Sequence, residues 1–323
     1  MFDVITIGSA TRDVFLESGN FKFIKSQEFA GGTGECLSLG SKNEVRNIFF
    51  STGGGATNAA VTFARLGLKT AVLSRVGKDS AGYEIITILK KEGVGTRLIQ
   101  MDSEEHTAYS TLLMYGPGER TVLVYRGPSN KIEIKPALPK VKAKWFYVTS
   151  LGGRMDIIRA IWAHARKNKI KICWNPGEEE LKLGFEALKP LIKQCEIFNI
   201  NREEAARLTG CEPNNDICLL NSVCNASKIA IMTDGSMGAY VCAKEEKYFV
   251  ASLGTKPKNT TGAGDAFGSG FAVGMVKTGD LKFSLKLATL NADSVIRGMG
   301  AKTGILKKMP LDKELNKVKI KTF

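Results

Sequence analysis

Asn259-Thr260-Thr261-Gly262-Ala263-Gly264-Asp265 sets two glycines and a carboxylate ahead of an apolar run, Ala266-Phe267-Gly268-Ser269-Gly270-Phe271-Ala272. Without a Cβ, the backbone at Gly262 and Gly264 can bend sharply and approach a ligand. A helix opening near Ala263 has unpaired N–H groups and the positive end of its dipole, which together make an anion site. Asp265, in the first turn, complements that dipole. Beside a bound phosphate chain the same carboxylate can accept the proton of an attacking hydroxyl. The bland alternative is an acidic first turn after a flexible loop.

Other short constellations point to the same chemistry. Asn201-Arg202-Glu203-Glu204 follows a strand pattern and opens a helix. Asn201 and Glu204, three apart, share a helix face and can hold waters of a Mg²⁺ ion; they also read as a plain N-cap with an acidic first turn. Thr233-Asp234-Gly235-Ser236-Met237-Gly238 is either a nucleotide loop or an ordinary glycine hairpin. Gly53-Gly54-Gly55-Ala56-Thr57-Asn58 again puts glycines at a helix start. The Asn58 amide offers both a donor and an acceptor to a polyol. Gly8 with Asp13 offers an acceptor for two adjacent hydroxyls. Neither G-x-G-x-x-G nor a P-loop is present, which disfavours dinucleotide binding and Walker-type NTPases. His106 and His164, the only histidines, lack metal-ligand spacing, and G-x-S-x-G is absent.

These residues need elements to hold them. Residues 4–8 read as a first strand. Residues 15–50 alternate in short stretches broken by Gly31-Gly32-Thr33-Gly34 and Ser38-Leu39-Gly40-Ser41, and suggest a small inserted antiparallel sheet. The alternating stretches 106–115 and 120–125, around Gly116-Pro117-Gly118-Glu119, form a hairpin that completes it. Helices are expected over 56–66, from Asp79 to 92, over 155–168, near 181–188, and over 203–208, 263–277 and 281–297. Strands are expected over 69–75, 145–149, 170–174, 196–200, 228–232, 239–243 and 247–251. Strands alternating with helices imply a parallel sheet covered on both faces. The expected layout is one α/β domain over 1–323, with lid segments near 14–50 and 105–126.

Composition excludes other classes. The chain has 323 residues, 43% hydrophobic and 24% charged, with no apolar run long enough to span a membrane. Its start reads as a strand, not a signal peptide. Seven scattered cysteines without a C-x-x-C pair argue against disulfides and zinc, and suit a reducing cytoplasm. The net charge is +14, with Lys302, Lys307, Lys308, Lys313, Lys317, Lys319 and Lys321 in a basic tail. No aromatic-basic interleaving accompanies it, so anionic substrates or a solvated surface explain the charge better than nucleic acid.

Taken in order, these features resemble the PfkB carbohydrate kinases, the ribokinase-like family that includes fructokinases and nucleoside kinases. Two motifs carry the resemblance: Gly53-Gly54-Gly55-Ala56-Thr57-Asn58-Ala59-Ala60 with Gly67 and Gly77, and the stretch from Asn259 to Ala272. Val76-Gly77-Lys78-Asp79-Ser80-Ala81-Gly82 and the two weaker motifs fall where that family has them. The resemblance implies a three-layer α/β/α fold with a β lid, and an ATP- and Mg²⁺-dependent kinase of a sugar or sugar-like alcohol. It implies Asp265 as base and the amides of Gly262, Ala263 and Gly264 as anion hole. Asn201 and Glu204 match the magnesium motif. Thr233, Gly235 and Gly238 match the nucleotide loop, with Asn291 near the base. Asp13, Gly53, Gly54 and Asn58 match sugar contacts. A lid-mediated homodimer is implied too. The chain departs from the family's pattern at Asn259, where Asp is frequent, which puts K⁺ activation in doubt. Thr11 stands where ribokinases usually carry Asn, and Arg126 resembles an arginine of relatives acting on keto-sugars or acids. A nucleoside kinase with lid aromatics Phe15, Phe21 or Phe23 at the base is the alternative within this family. A non-catalytic sensor is the alternative outside it.

Overall fold

The computed structural model describes residues 1–18, 22–29, 32–115, 119–244 and 246–323. Its strands are β1 (Phe2–Ile7), β2 (Thr11–Glu17), β3 (Lys22–Lys25), β4 (Thr33–Cys36), β5 (Asn47–Gly53), β6 (Thr70–Gly77), β7 (Ile99–Asp102), β8 (Ala108–Tyr115), β9 (Glu119–Tyr125), β10 (Ala143–Val148), β11 (Lys171–Trp174), β12 (Ile197–Asn201), β13 (Ile229–Asp234), β14 (Gly238–Ala243), β15 (Glu246–Ala251) and β16 (Ile320–Thr322). The helices are α1 (Gly55–Arg65), α2 (Ser80–Lys91), α3 (Met155–Lys167), α4 (Glu178–Leu181), α5 (Phe185–Ile192), α6 (Arg202–Thr209), α7 (Asp216–Cys224), α8 (Ala263–Lys277), α9 (Leu281–Ile296) and α10 (Asp312–Leu315).

Among the described residues, ten strands form one sheet in the order β16-β15-β14-β13-β12-β11-β10-β1-β6-β7. Neighbours from β13 to β7 run parallel. The edge strands β14, β15 and β16 are antiparallel additions. Parallel strands buried on both faces need continuous apolar sequence. In β1 and β10, Ile5, Ile7, Phe146 and Val148 pack into one core, and Val4, Trp145 and Tyr147 into the other. Helix α3 closes the first core with Ile157, Ile158, Ile161, Trp162 and Ala165 at helical spacing. Its Trp162 meets Trp174 edge-on at 4.9 Å. Each of the isoleucines contributes roughly 1.5–3 kcal/mol. Helices α8 and α9 close the second core with Phe267, Phe271, Leu285 and Leu287. From β1 the sheet grows toward β6 and β7 on one side; the chain then returns to place β10 on the other. That reversal puts a crevice at the carboxyl ends of β1 and β10.

The lid corrects one expectation. Its four strands run β5-β2-β8-β9, and β2 pairs with β8 in parallel, not antiparallel. Both enter from the body, β2 directly from β1 and β8 after β7, so they share a direction. Strands β3 and β4 make a separate ribbon. Gly31, Phe21 and the turn Gly116-Pro117-Gly118 lie outside the described residues. The helix expected near 181–188 is two helices, α4 and α5, parted at Gly184, whose φ is 83°. Strands β7 and β16 and helix α10 are too short to be read from sequence, and α7 escapes such a reading because it buries only Leu219 and Val223 of its nine residues.

The cysteines correct another expectation. Cys211 pairs with Cys218, and Cys224 with Cys242. Linear spacing does not show this, because folding lays α7 back against β13 and β14 and so brings Cys224 to Cys242. Cys173 and Cys195 are free and buried, and Cys36 is free and half-buried. The thiol-based argument for a reducing compartment therefore falls. Among the described residues, no helix is long and apolar enough to cross a membrane.

Candidate active site

Asp13 enters the site from β2, immediately after β1 ends, and is 4% exposed. Its Oδ1 accepts a 2.9 Å hydrogen bond from Thr11 Oγ1. Burial raises its pKa, against the opposing pull of Lys302, Thr11 and Ser110. Gly53, the last residue of β5, lies so close that a Cβ there would overlap the Asp13 carboxylate. Gly54, at φ 92°, caps α1 against the Ser9 backbone. The glycines thus let α1 start beside Asp13, and one turn later α1 presents Asn58.

Helix α8 brings Asp265 to the same place. Its N-cap, Gly262, sits at φ 81° against Ala301, a left-handed geometry that favours glycine. Asn58 Nδ2 donates to Asp265 Oδ2 at 2.8 Å. Burial raises the Asp265 pKa, opposed by that bond and by the Lys302 charge. On its other side Asn58 Oδ1 accepts from Lys302 Nζ at 2.7 Å, and the same ammonium donates to Thr52 O at 2.7 Å. Lys302 is 7% exposed, and burial pushes its pKa down to about 7 although Asp13, Asp265 and Glu92 pull it up. Sequence reasoning placed Lys302 in a solvated basic tail. No linear signal marks it, since its partners lie some 240 residues earlier in the chain. Arg65 holds the segment in place, donating to the carbonyls of Lys302 at 3.0 Å and Ile305 at 2.8 Å.

The parallel register sets Asn201, at the end of β12, opposite Thr233 on β13. Asn201 Oδ1 accepts from Glu204 N, and Glu204 Oε2 accepts from Asn201 N, both at 2.8 Å. The pair is therefore a reciprocal capping box. Burial raises the Glu204 pKa, and Asp265 adds to the rise, so the two carboxylates sense each other. Arg202 pairs with Asp234 at 2.8 Å and Asp216 at 2.6 Å, tying the loop after β13 to α6 and α7. In that loop Gly235 faces open space, and Gly238 opens β14 at φ 127°. Among the described residues, no three His, Cys, Asp or Glu side chains converge as a metal cluster. A single carboxylate beside an amide suits Mg²⁺, which keeps waters and takes phosphate ligands.

Some expected residues stand elsewhere. Asn291 is 0% exposed. Its Nδ2 donates to Ala266 O at 2.8 Å, and its Oδ1 accepts from Leu306 N at 3.0 Å. It clamps α9 to α8, with both ends of its amide bonded internally. The Ala263 amide donates within the loop to Thr260 O at 3.2 Å, and at Gly264 a Cβ would meet nothing within 4 Å. Arg126 is exposed and lies near Glu179. A different lid arginine, Arg120 on β9, reaches the glycine loop with Nη1 at 2.6 Å from Thr260 Oγ1. His106 stands beside Asp79 and His164 beside Asn168, neither in the site.

Between lid and body lies a cavity of about 390 Å³ lined by Phe15, Glu17, Asn47, Phe49, Met114, Lys258 and Met299. A larger groove of about 770 Å³, edged by Lys282, Lys286, Lys319 and Lys321, sits at the β15–β16 edge and holds none of these residues.

A family model described as pfkB family carbohydrate kinase matches residues 3–308. Probable fructokinase-5 of Arabidopsis thaliana is 27% identical over 252 residues, covering 74% of this chain and 78% of that protein. Among solved structures, Arabidopsis thaliana ribokinase complexed with ribose and ATP superposes with a TM-score of 0.76 at 21% identity, covering 98% of both chains. Adenosine kinase from Sinorhizobium meliloti superposes with a TM-score of 0.77 at 21% identity, also over 98% of both chains. The fold is therefore shared by sugar and nucleoside kinases alike.

Proposed function

This chain belongs to the pfkB family of carbohydrate kinases, and from that premise we propose that its crevice transfers the γ-phosphoryl group of ATP to a hydroxyl of a sugar, with Asp265 as the base. It is a sugar kinase of the ribokinase and fructokinase type. The observation that carries the assignment of the base is Asp265, in the first turn of α8, held by Asn58 and facing the side of the crevice where Asp13 is buried. Asp13 and Asn58, at the lid junction, suit the hydroxyls of a polyol. Asp265 removes the proton of the reacting hydroxyl as its oxygen bonds to the γ-phosphorus, and the β–γ bridging bond breaks toward ADP. The α8 N-terminus, open beside Gly264 where a Cβ would meet nothing within 4 Å, and the α8 dipole stabilise the transferring charge. Asn201 and Glu204 would hold Mg²⁺ through water, and the ion would neutralise phosphate charge. Thr233, Gly235 and Gly238 form the nucleotide side. Lid closure through Arg120 excludes water.

The outer lid face exposes Ile48, Phe50, Leu123 and Tyr125. Apolar strands left open at a sheet invite pairing, and this supports a homodimer formed through the lid. Phe15 and Phe49, with ring centroids 5.8 Å apart, line the lid cavity and favour a second reading in which a nucleoside base stacks there. Release of ADP from ATP across a panel of sugars and nucleosides tests both. Turnover with a sugar is expected, turnover with nucleosides alone would favour the second reading, and binding without any turnover would favour a sensor.

A further inference from the structure

Lys302 is buried where a sugar kinase would keep its acceptor groups, although nothing in its own segment resembles a catalytic motif. Its Nζ bridges three separate elements: the β5 strand of the lid through Thr52 O, helix α1 through Asn58 Oδ1, and, through Asn58, the base on α8. An ammonium only donates, so the Asn58 carbonyl must face it and the Asn58 NH₂ must face Asp265. With the amide reversed, carbonyl oxygen would oppose carboxylate oxygen. We propose that Lys302 is a positioning residue for phosphoryl transfer: it fixes the Asn58 amide and holds Asp265 ionised and aimed at the reacting hydroxyl.

The surrounding charges fit that role. Lys302 is faced by Asp13 from β2, Asp265 from α8, Glu92 beyond α2 and Arg65 from α1. Asp265 is faced in turn by Lys302, by Asp13, by Glu204 from α6 and by the Tyr147 hydroxyl from β10. Below about pH 7, where it is protonated, Lys302 offsets the charges of Asp13, Asp265 and Glu92, with Arg65 the other cation among these partners. Removing it leaves the base among like charges and buried, which favours its protonated, inactive form. The Arg65 bonds to Lys302 O and Ile305 O anchor the segment, so the ammonium is placed by packing and not by the substrate.

This inference rests on Asp265 being the base, and the experiment separates the two claims. Wild type, Asp265→Asn, Lys302→Gln and Lys302→Met are compared by kcat and kcat/KM from about pH 5 to 9, with folding checked by circular dichroism. Gln keeps a donor to Asn58 without the charge, and Met keeps neither. The expected result is an acid limb moved upward by about half a unit or more in both Lys302 variants. With it, below about pH 7, kcat falls about tenfold in Lys302→Gln and further in Lys302→Met, while KM for ATP stays within about twofold. An active Asp265→Asn enzyme would overturn the assignment of the base and this inference with it. Inactive Asp265→Asn with an unmoved acid limb in folded Lys302 variants would overturn this inference alone. So would a loss of activity that merely tracks the unfolded fraction.

Discussion

Asn58 and Asp265 stand 207 positions apart in the chain and are joined by a 2.8 Å hydrogen bond that crosses from α1 to α8. The bond links the end of the glycine turn that makes room for Asp13 to the start of the helix that carries Asp265. It lowers the Asp265 pKa against a larger upward push from burial, so the carboxylate remains above its ordinary range. A base of that kind accepts a proton more readily than a solvated aspartate. Asp265→Asn is nearly isosteric and is expected to lower kcat by roughly 100-fold or more with little change in nucleotide affinity. Near-normal turnover by the purified variant would remove Asp265 from the role.

Arg120 ties β9 of the lid to Thr260 of the glycine loop. A polar bond of this kind contributes about 0.5–1.5 kcal/mol. Arg120→Ala should therefore raise KM for the sugar by about two- to tenfold and let more ATP be hydrolysed without transfer. The ratio of ADP to phosphorylated sugar measures this, and an unchanged ratio with unchanged KM counts against the lid contact.

Asn259 is 1% exposed, and its Oδ1 is already bound to Thr261 N at 2.8 Å. It is neutral, so it offers K⁺ less than a carboxylate would. Exchanging K⁺ for a large organic cation at fixed Mg²⁺ and ionic strength should change activity by less than about threefold. A fall of about tenfold, equivalent to roughly 1.4 kcal/mol, would show that backbone carbonyls suffice for the ion.

The two disulfides bracket α7, whose Asp216 supports Arg202 and, through it, Asp234 at the end of β13, beside the proposed nucleotide loop. Closing the loop between Cys224 and Cys242 is worth about 3 kcal/mol in the chain-entropy account. Cys224→Ser, or reduction of the wild type, should lower Tm by several degrees and weaken ATP binding more than sugar binding. A melt unaffected by reductant would contradict this.

Lys302 also predicts a stability profile. Its pKa is about 7 in the folded chain and about 10.4 when unfolded. Between these values the unfolded chain holds the proton and the folded chain does not, so stability rises with pH across that window. Below it the ammonium is carried in both states, and above it in neither. The Tm advantage of wild type over Lys302→Met should therefore grow from about pH 7 to 9. A constant difference would mean that burial does not perturb the lysine.

The chain's linear text determined the elements that local physics controls. The apolar runs of β1 and β10 require burial on both faces, the glycines at Gly53 and Gly262 require backbone close to a neighbour, and Asp265 falls in a first turn whatever it packs against. Those facts were enough to read a parallel sheet and a lid, and to expect a phosphoryl-transfer loop. The tertiary structure decided what depends on partners distant in sequence. It set β2 and β8 parallel, because both leave the body in one direction. It turned Asn291 inward as a clamp, because α9 packs flush on α8. It paired Cys224 with Cys242 by laying α7 against β13 and β14. It also drew Lys302 out of a lysine-rich tail and into the candidate site, against Asn58 and Thr52. A lysine's neighbours, and so its charge, are set by packing, and no spacing along the chain encodes them.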